Sequence, residues 1–300
     1  MLKVLPWGQK ARYEASRIHP GTKNPDGTYE AITYEICDVI VKEGQLPRTL
    51  LFRVGSYFFV DEQYKTDLKK VSFQEGETVL WISGLRQSIE HDIFVPHNCV
   101  MLANMLAHAP LFEGATVLDL GTGSGILSSM AIALGAKAAI GVEKKSFIGH
   151  LKAGSRFEKT LNANGQLTQD SFFMAQDIMK EDEFLEKLEK NKEDISIVVS
   201  NIGPSSMYKG ANVSAIKIMS QLPAIKGYFT GGYFTSTHPA GAQPVESSVD
   251  DEKCDSLDDE RRLQEVGVTD IETFTISMPS LPNELAKSLF CSKTSVAQEA

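Results

Sequence analysis

The sequence predicts an α/β protein: a mostly parallel sheet flanked by helices, preceded by a small β-rich domain. Three observations carry that prediction. Residues 117–127 read as a buried strand, a glycine turn and the start of a helix, in that order. Downstream, short apolar and β-branched runs alternate with stretches of helical spacing, as βαβ units do. Upstream, residues 1 to about 85 hold short runs rich in Thr, Tyr, Phe, Val and Ile, separated by turn residues.

The glycine turn organises the rest. Val117, Leu118, Asp119 and Leu120 form the strand, Gly121, Gly123 and Gly125 alternate after it, and an apolar helical pattern runs over 126–134. Such glycines let backbone approach a ligand, and the helix N-terminus behind them offers unpaired N–H groups. A Walker loop is excluded, because Ile126 and Leu127 stand where its Lys and Ser/Thr belong. A dinucleotide fingerprint is disfavoured, because its sixth position needs Gly or Ala for close helix packing and here holds Ile126. What is left is Asp119-x-Gly121-x-Gly123-x-Gly125, with an acid two residues before the first glycine.

That pattern resembles motif I of the class I S-adenosylmethionine (SAM) methyltransferases. The resemblance spans about residues 90–280 and is specific for the cofactor class, not for the methyl acceptor. It implies a seven-stranded, mostly parallel, Rossmann-like methyltransferase sheet behind the β-rich segment. It also implies SAM as cofactor, with Asp119, Gly121, Thr122, Gly123, Ser124 and Gly125 around it.

At 300 residues, two domains are expected. The divisions are 1–87 for the β-rich domain, 88–293 for the methyltransferase domain and 294–300 for a disordered tail. The 30 Lys+Arg against 39 Asp+Glu leave a net charge of −9, which argues against nucleic acid as the main partner. Cys37, Cys99, Cys254 and Cys291 are far apart and form no Cys-x-x-Cys. Free thiols in a reducing compartment are expected, with no disulfide framework and no metal site. The start of the chain has no long apolar run, and no segment is long enough to span a bilayer, so a cytoplasmic protein without a membrane partner is expected.

Taken in order, strands are expected over 30–41, 49–60 and 78–82, with turns at 24–27, 43–44 and 75–76, giving a small antiparallel sheet or barrel. Its role is open between acceptor recognition and a lid or homodimer module. Residues 88–97 form a junction, and a helix follows over 98–108 with Val100, Leu102, Met105 and Leu106 as apolar positions. In similar methyltransferases this stretch folds over the methionine end of the cofactor. His91 and His97 are either functional there or surface histidines. Gly135 suits the C′ position of the first helix.

A second strand over 138–142 ends at Glu143. An acid there can accept from both hydroxyls of a ribose, or it can serve as a carboxylate at a helix N-terminus. After a helix over about 146–162, a third strand over 171–175 ends at Gln176 and Asp177. In the family a polar or acidic residue here receives the adenine amino group, which makes Asp177 the candidate; capping the next segment is the alternative. Residues 181–194, densely charged with Phe184, Leu185 and Leu188 at helical spacing, read as a surface helix.

The fourth strand, 195–199, ends in Ser200-Asn201-Ile202-Gly203-Pro204. Parallel sheets bind ligands at the C-terminal ends of their strands. The segment resembles the Asn-Pro-Pro-Tyr motif of amino-methylating enzymes but departs from it at Ile202 and Gly203, with Ser205 after Pro204. It is closer to the Asn-Ile start of the motif in methyltransferases of ribosomal-protein lysine and N-terminal amino groups. The paired glutamates of the arginine methyltransferases are missing, although residues 135–143 read much like theirs. The resemblance implies Asn201 as the catalytic residue, also touching SAM, and His97, Ile202, Gly203, Pro204 and Tyr208 as acceptor-binding residues.

A helix over 213–222, a strand over 227–237 around Gly231-Gly232, a polar acidic loop over 240–259, and a last helix and closing strands over 261–277 complete the chain. Methyl transfer demands mainly positioning and desolvation, so few catalytic side chains are needed. The expected function is SAM-dependent methylation of an amino or amide nitrogen on a protein or a small molecule. The alternatives are O-methylation of a small molecule and a SAM-binding regulatory protein without turnover.

Overall fold

A thirteen-stranded sheet runs through the computed structural model, which describes residues 3–6, 12–18, 31–40, 48–65, 75–85, 94–144, 153–202, 210–236, 261–268, 270–278 and 281–292. The strands are β1 (Lys3–Pro6), β2 (Arg12–Ile18), β3 (Ala31–Ile40), β4 (Arg48–Val54), β5 (Tyr57–Asp61), β6 (Thr78–Ile82), β7 (Thr116–Leu120), β8 (Ala138–Glu143), β9 (Phe172–Ala175), β10 (Ile195–Ser200), β11 (Gly227–Ser236), β12 (Asp270–Met278) and β13 (Leu281–Ser292). The α-helices are α1 (Phe94–Ala107), α2 (Ile126–Ala133), α3 (Ala153–Ala163), α4 (Glu181–Leu188) and α5 (Ala211–Ser220).

The seven strands expected of the methyltransferase sheet are β7 to β13, in the order β9-β8-β7-β10-β11-β13-β12. β7, β8, β9, β10 and β11 pair in parallel, and β13 runs antiparallel between β11 and β12. The order reverses at β7 and β10, and a crevice forms where neighbouring connections leave in opposite directions. Both ligand motifs, at the ends of β7 and β10, therefore face the same crevice.

The upstream strands extend this sheet. β12 pairs antiparallel with β2, Thr273 opposite Ile18, and the order continues β2-β3-β4-β5-β6, with β1 also on β3. The expected strand over 49–60 is a hairpin, because Gly55 at φ +57° and Ser56 turn the chain and set Val54 opposite Tyr57. The charged helix expected over 181–194 stops at Leu188. Helix α1 begins at Phe94, earlier than its apolar pattern indicates.

Period-two alternation splits the core between the two faces of β7. Val117 and Asp119 face one side, Leu118 and Leu120 the other. On the first side, Phe59, Leu80 and Ile82 of the upstream strands pack with Met101, Leu102 and Met105 of α1 and Ile126, Leu127 and Met130 of α2. That cover explains why residues 101–105 are all buried instead of forming a stripe. On the second side, Phe184 and Leu188 of α4 and Ile216 and Met219 of α5 cover Leu118, Ile140 and Val198.

Helix α2 ends as its sequence predicts. Gly135, at φ +106°, donates its N–H to Ile132 O at 3.0 Å, and Ala136 donates to Ala131 O at 3.1 Å, which is the Schellman pattern. Cys291 is a buried free thiol. Among the described residues no helix is long and apolar enough to cross a membrane, and no group of three or more His, Cys, Asp or Glu could hold a metal ion.

Candidate active site

The glycine turn between β7 and α2 is held from three directions. Asp119 lies fully buried, and its Oδ2 accepts the Ser128 hydroxyl at 2.6 Å, the Thr122 hydroxyl at 2.8 Å and the Ser128 amide at 3.2 Å. The carboxylate thus fastens the turn to the first coil of α2. Its Oδ1 is buried without a hydrogen-bond partner among the described residues. Burial raises the Asp119 pKa from 3.8 to about 6, against the lowering effect of the Ser128 and Thr122 hydrogen bonds. Thr122 accordingly points inward, and Asp119 acts on the turn.

From the second direction, the Gly121 and Thr122 amides both donate to Val142 O at the end of β8, at 2.9 and 3.0 Å. From the third, Phe157 of α3 wedges beneath the turn. A Cβ on Gly125 would lie 3.1 Å from the Phe157 ring, and one on Gly141 would lie 2.5 Å from it. The third glycine of the motif therefore serves helix packing. Gly121 and Gly123 serve the turn itself, at φ +77° and +52°. Among the described residues a Cβ on Gly123 would meet only Gly121 O, at 4.0 Å.

Glu143 lies beside this glycine on the β8 side. Its Oε2 accepts the Gly123 amide at 3.3 Å and its Oε1 the Lys144 amide at 3.1 Å. Asp177, past the end of β9, accepts the Met179 amide at 3.1 Å and pairs with Lys144 Nζ at 2.9 Å. It caps its own turn and not α4, whose N-cap position is Lys180. The cradle thus has a bare glycine floor and a partly exposed carboxylate beside it, which suits the uncharged ribose and slender methionine chain of SAM.

The fourth-strand motif lies directly against this turn. A Cβ on Gly121 would sit 3.3 Å from Ile202 Cγ1 and 3.7 Å from Asn201 O. Asn201 and Ile202 are half-buried. Ser200 is fully buried, with no partner for its hydroxyl among the described residues. His97 lies in α1, but its side chain, together with His91, Gly203, Pro204 and Tyr208, falls outside the described residues.

The sequence reading passed over Ser128, Lys144, Phe157, Thr160 and Asn164. For the last three a signal existed: Phe157, Thr160 and Leu161 of α3 and Asn164 just past its end stand at i, i+3, i+4 and i+7. Two polar residues on a buried stripe need partners, and such partners are found at functional turns.

The family model described as ribosomal protein L11 methyltransferase (PrmA) matches residues 97–202, about a third of the chain. No curated protein matches the sequence. Among solved structures, the chain is similar to a ribosomal protein L11 methylase from Lactobacillus delbrueckii subsp. bulgaricus, with 14% identity over 78% of this chain and 94% of that one, and a TM-score of 0.47. It is also similar to an arsenic(III) SAM methyltransferase from Chlamydomonas reinhardtii, with 17% identity over 63% and 66% and a TM-score of 0.43. A SAM-dependent methyltransferase from Aquifex aeolicus gives 12% identity over 64% and 89%, with a TM-score of 0.39. The family match covers β7 to β10, the strands that carry the glycine turn, Glu143 and Asn201.

Proposed function

We propose that the chain is a class I, Rossmann-like SAM-dependent methyltransferase that acts on an amino or amide nitrogen of a protein, with Asn201 holding that nitrogen. The observation that carries the reading is the contact between the two motifs, Asn201 O and Ile202 lying 3.3–3.7 Å from the position of a Gly121 Cβ. A group held at Asn201 stands beside whatever the glycine turn holds. In this assignment Gly121 and Gly123 admit the methionine chain of SAM, Glu143 receives the ribose hydroxyls, and Asp177 lies toward the adenine.

SAM, when bound, supplies an electrophilic methyl group. The chain's part is positional. The Asn201 amide oxygen accepts an N–H of the acceptor, which turns the lone pair of the neutral amine toward the methyl group. Ile202 shields the approach from water. The net charge of −9 favours a basic acceptor, such as a lysine-rich protein surface, over nucleic acid. Residues 1–87 are assigned to acceptor recognition or homodimer formation, residues 88–293 to the methyltransferase domain, and the setting is cytoplasmic.

The test is transfer of labelled methyl from SAM into protein extract from cells lacking this chain, followed by mass spectrometry of the modified residue. Label on a lysine or N-terminal nitrogen of a protein supports the reading. Label only on small-molecule oxygens moves the function to O-methylation. SAM binding without transfer makes the chain a regulatory protein.

A further inference from the structure

Helix α3 joins two parts of the molecule that the reaction scheme treats separately. β6 is the last strand of the sheet, and a terminal strand presents a row of unpaired backbone groups. Here Thr160 of α3 and Asn164 just past its end take the place of a neighbouring strand. Asn164 Oδ1 accepts the Trp81 N–H at 2.8 Å, and Asn164 Nδ2 donates to Trp81 O at 2.9 Å. Two residues on, the Ser83 N–H donates to Thr160 Oγ1 at 2.9 Å. The match follows from periodicity. Four helical residues rise about 6 Å and two strand residues about 6.6 Å, so the step from Thr160 to Asn164 matches the step from Ser83, just past β6, back to Trp81.

Both side chains also reach the other way. The Thr160 hydroxyl donates to Ser124 O, inside the glycine turn, at 2.7 Å. Asn164 Nδ2 lies 3.2 Å from Ser129 Oγ, early in α2. Thr160 is fully buried, and Ser83 and Ser124 are buried as well. One hydroxyl thus uses its proton on the glycine turn and a lone pair on the edge strand.

We propose that Thr160 and Asn164 are positioning residues that couple the glycine turn and the start of α2 to the end of β6, so that SAM binding and the anchoring of the upstream strands strengthen each other. The inference rests on SAM occupying the glycine turn. Coupling between two sites is reciprocal. Occupancy of the turn is therefore passed to the strands assigned to acceptor recognition, and anchoring of those strands tightens SAM.

The experiment is amide hydrogen exchange on the full chain with and without saturating SAM, with SAM affinity from calorimetry. In the wild type, SAM slows exchange at Trp81 and Ser83 by at least about 5-fold, the lower end of typical site coupling. Thr160→Val keeps the side-chain shape but removes the hydroxyl; it weakens SAM by a similar factor and abolishes the SAM-induced slowing at Ser83. Thr160→Ser restores both. A purely structural Thr160 would change the exchange rate without SAM but leave the SAM-induced difference in place. If Thr160→Val does not fold, Asn164→Ala decides: it removes the SAM-induced slowing at Trp81 and preserves it at Ser83. SAM binding to the wild type with no change at these amides overturns the coupling alone. A wild type that binds no SAM overturns the cofactor assignment and the coupling together.

Discussion

The ends of β8 and β10 belong to the same crevice and are built in opposite ways. At the β8 end almost every polar group has a partner. Val142 O takes two amides of the turn, Glu143 takes two more, and Asp177 holds Lys144 and the Met179 amide. At the β10 end the Ser200 hydroxyl is buried without a partner, and the Asn201 side chain makes no hydrogen bond among the described residues. An unpaired buried hydroxyl costs about 1–3 kcal/mol. The difference teaches that the turn at β8 is stiff before any ligand arrives, whereas Ser200 and Asn201 keep polar capacity in reserve. A stiff site suits a cofactor that is always the same, and reserve suits an acceptor that completes the site itself.

The sharpest break in that comparison is Gly123→Val. Among the described residues the new Cβ would meet only Gly121 O, at 4.0 Å, but the side chain would fill the cradle and strain a backbone at φ +52°. SAM binding by calorimetry is expected to fall at least about 100-fold, with an unchanged circular dichroism spectrum. Gly125→Val should instead unfold the protein, because Phe157 occupies that space. Next is Asn201→Ala. Turnover should drop about 100-fold, the scale of losing one preorganised polar contact, while the SAM dissociation constant stays within a few-fold. Equal loss of both would make Asn201 part of the cofactor half.

Third is pH. The folded pKa of Asp119, about 6, lies above its ordinary 3.8. The folded state therefore binds this proton more tightly than the unfolded chain. The stabilising contribution is complete below about pH 3.8 and is lost as pH rises through about 6. The span corresponds to about 3 kcal/mol at most. Denaturant titrations of wild type and Asp119→Asn should diverge across that window, with the variant gaining relative stability toward pH 7. Asp61, also buried and raised to about 6, adds to the wild-type slope with the same sign. Parallel profiles would mean that Asp119 is ionised at no cost. The smallest effect is Glu143→Ala, which should weaken SAM by about 1.5–3 kcal/mol, with Glu143→Gln between the two. An unchanged dissociation constant would separate Glu143 from the ribose.

Much of this molecule was legible in its residues. The strand at 117–120, the glycine turn, the end of α2 at Gly135 and the strands ending at Glu143 and Ser200 all follow from local pattern, because apolar period and backbone permissiveness act over a few residues. The seven-stranded sheet followed from those units together with the motif. The pairing of β2 with β12 did not, since strands that far apart in sequence are joined by backbone hydrogen bonds that carry no residue code. The same holds within the site. The alternating glycines announced a close approach of some kind. That Gly121 and Gly123 line a cradle while Gly125 and Gly141 yield to Phe157 was settled by how α3 packs. The sequence by itself determined where a ligand turn lies and which cofactor class it resembles, through the acid and glycines of one turn. Tertiary structure alone decided that Thr160 joins that turn to Ser83 and that Asn164 joins α2 to Trp81, because most of their partners are backbone groups of distant segments, which any residue can supply.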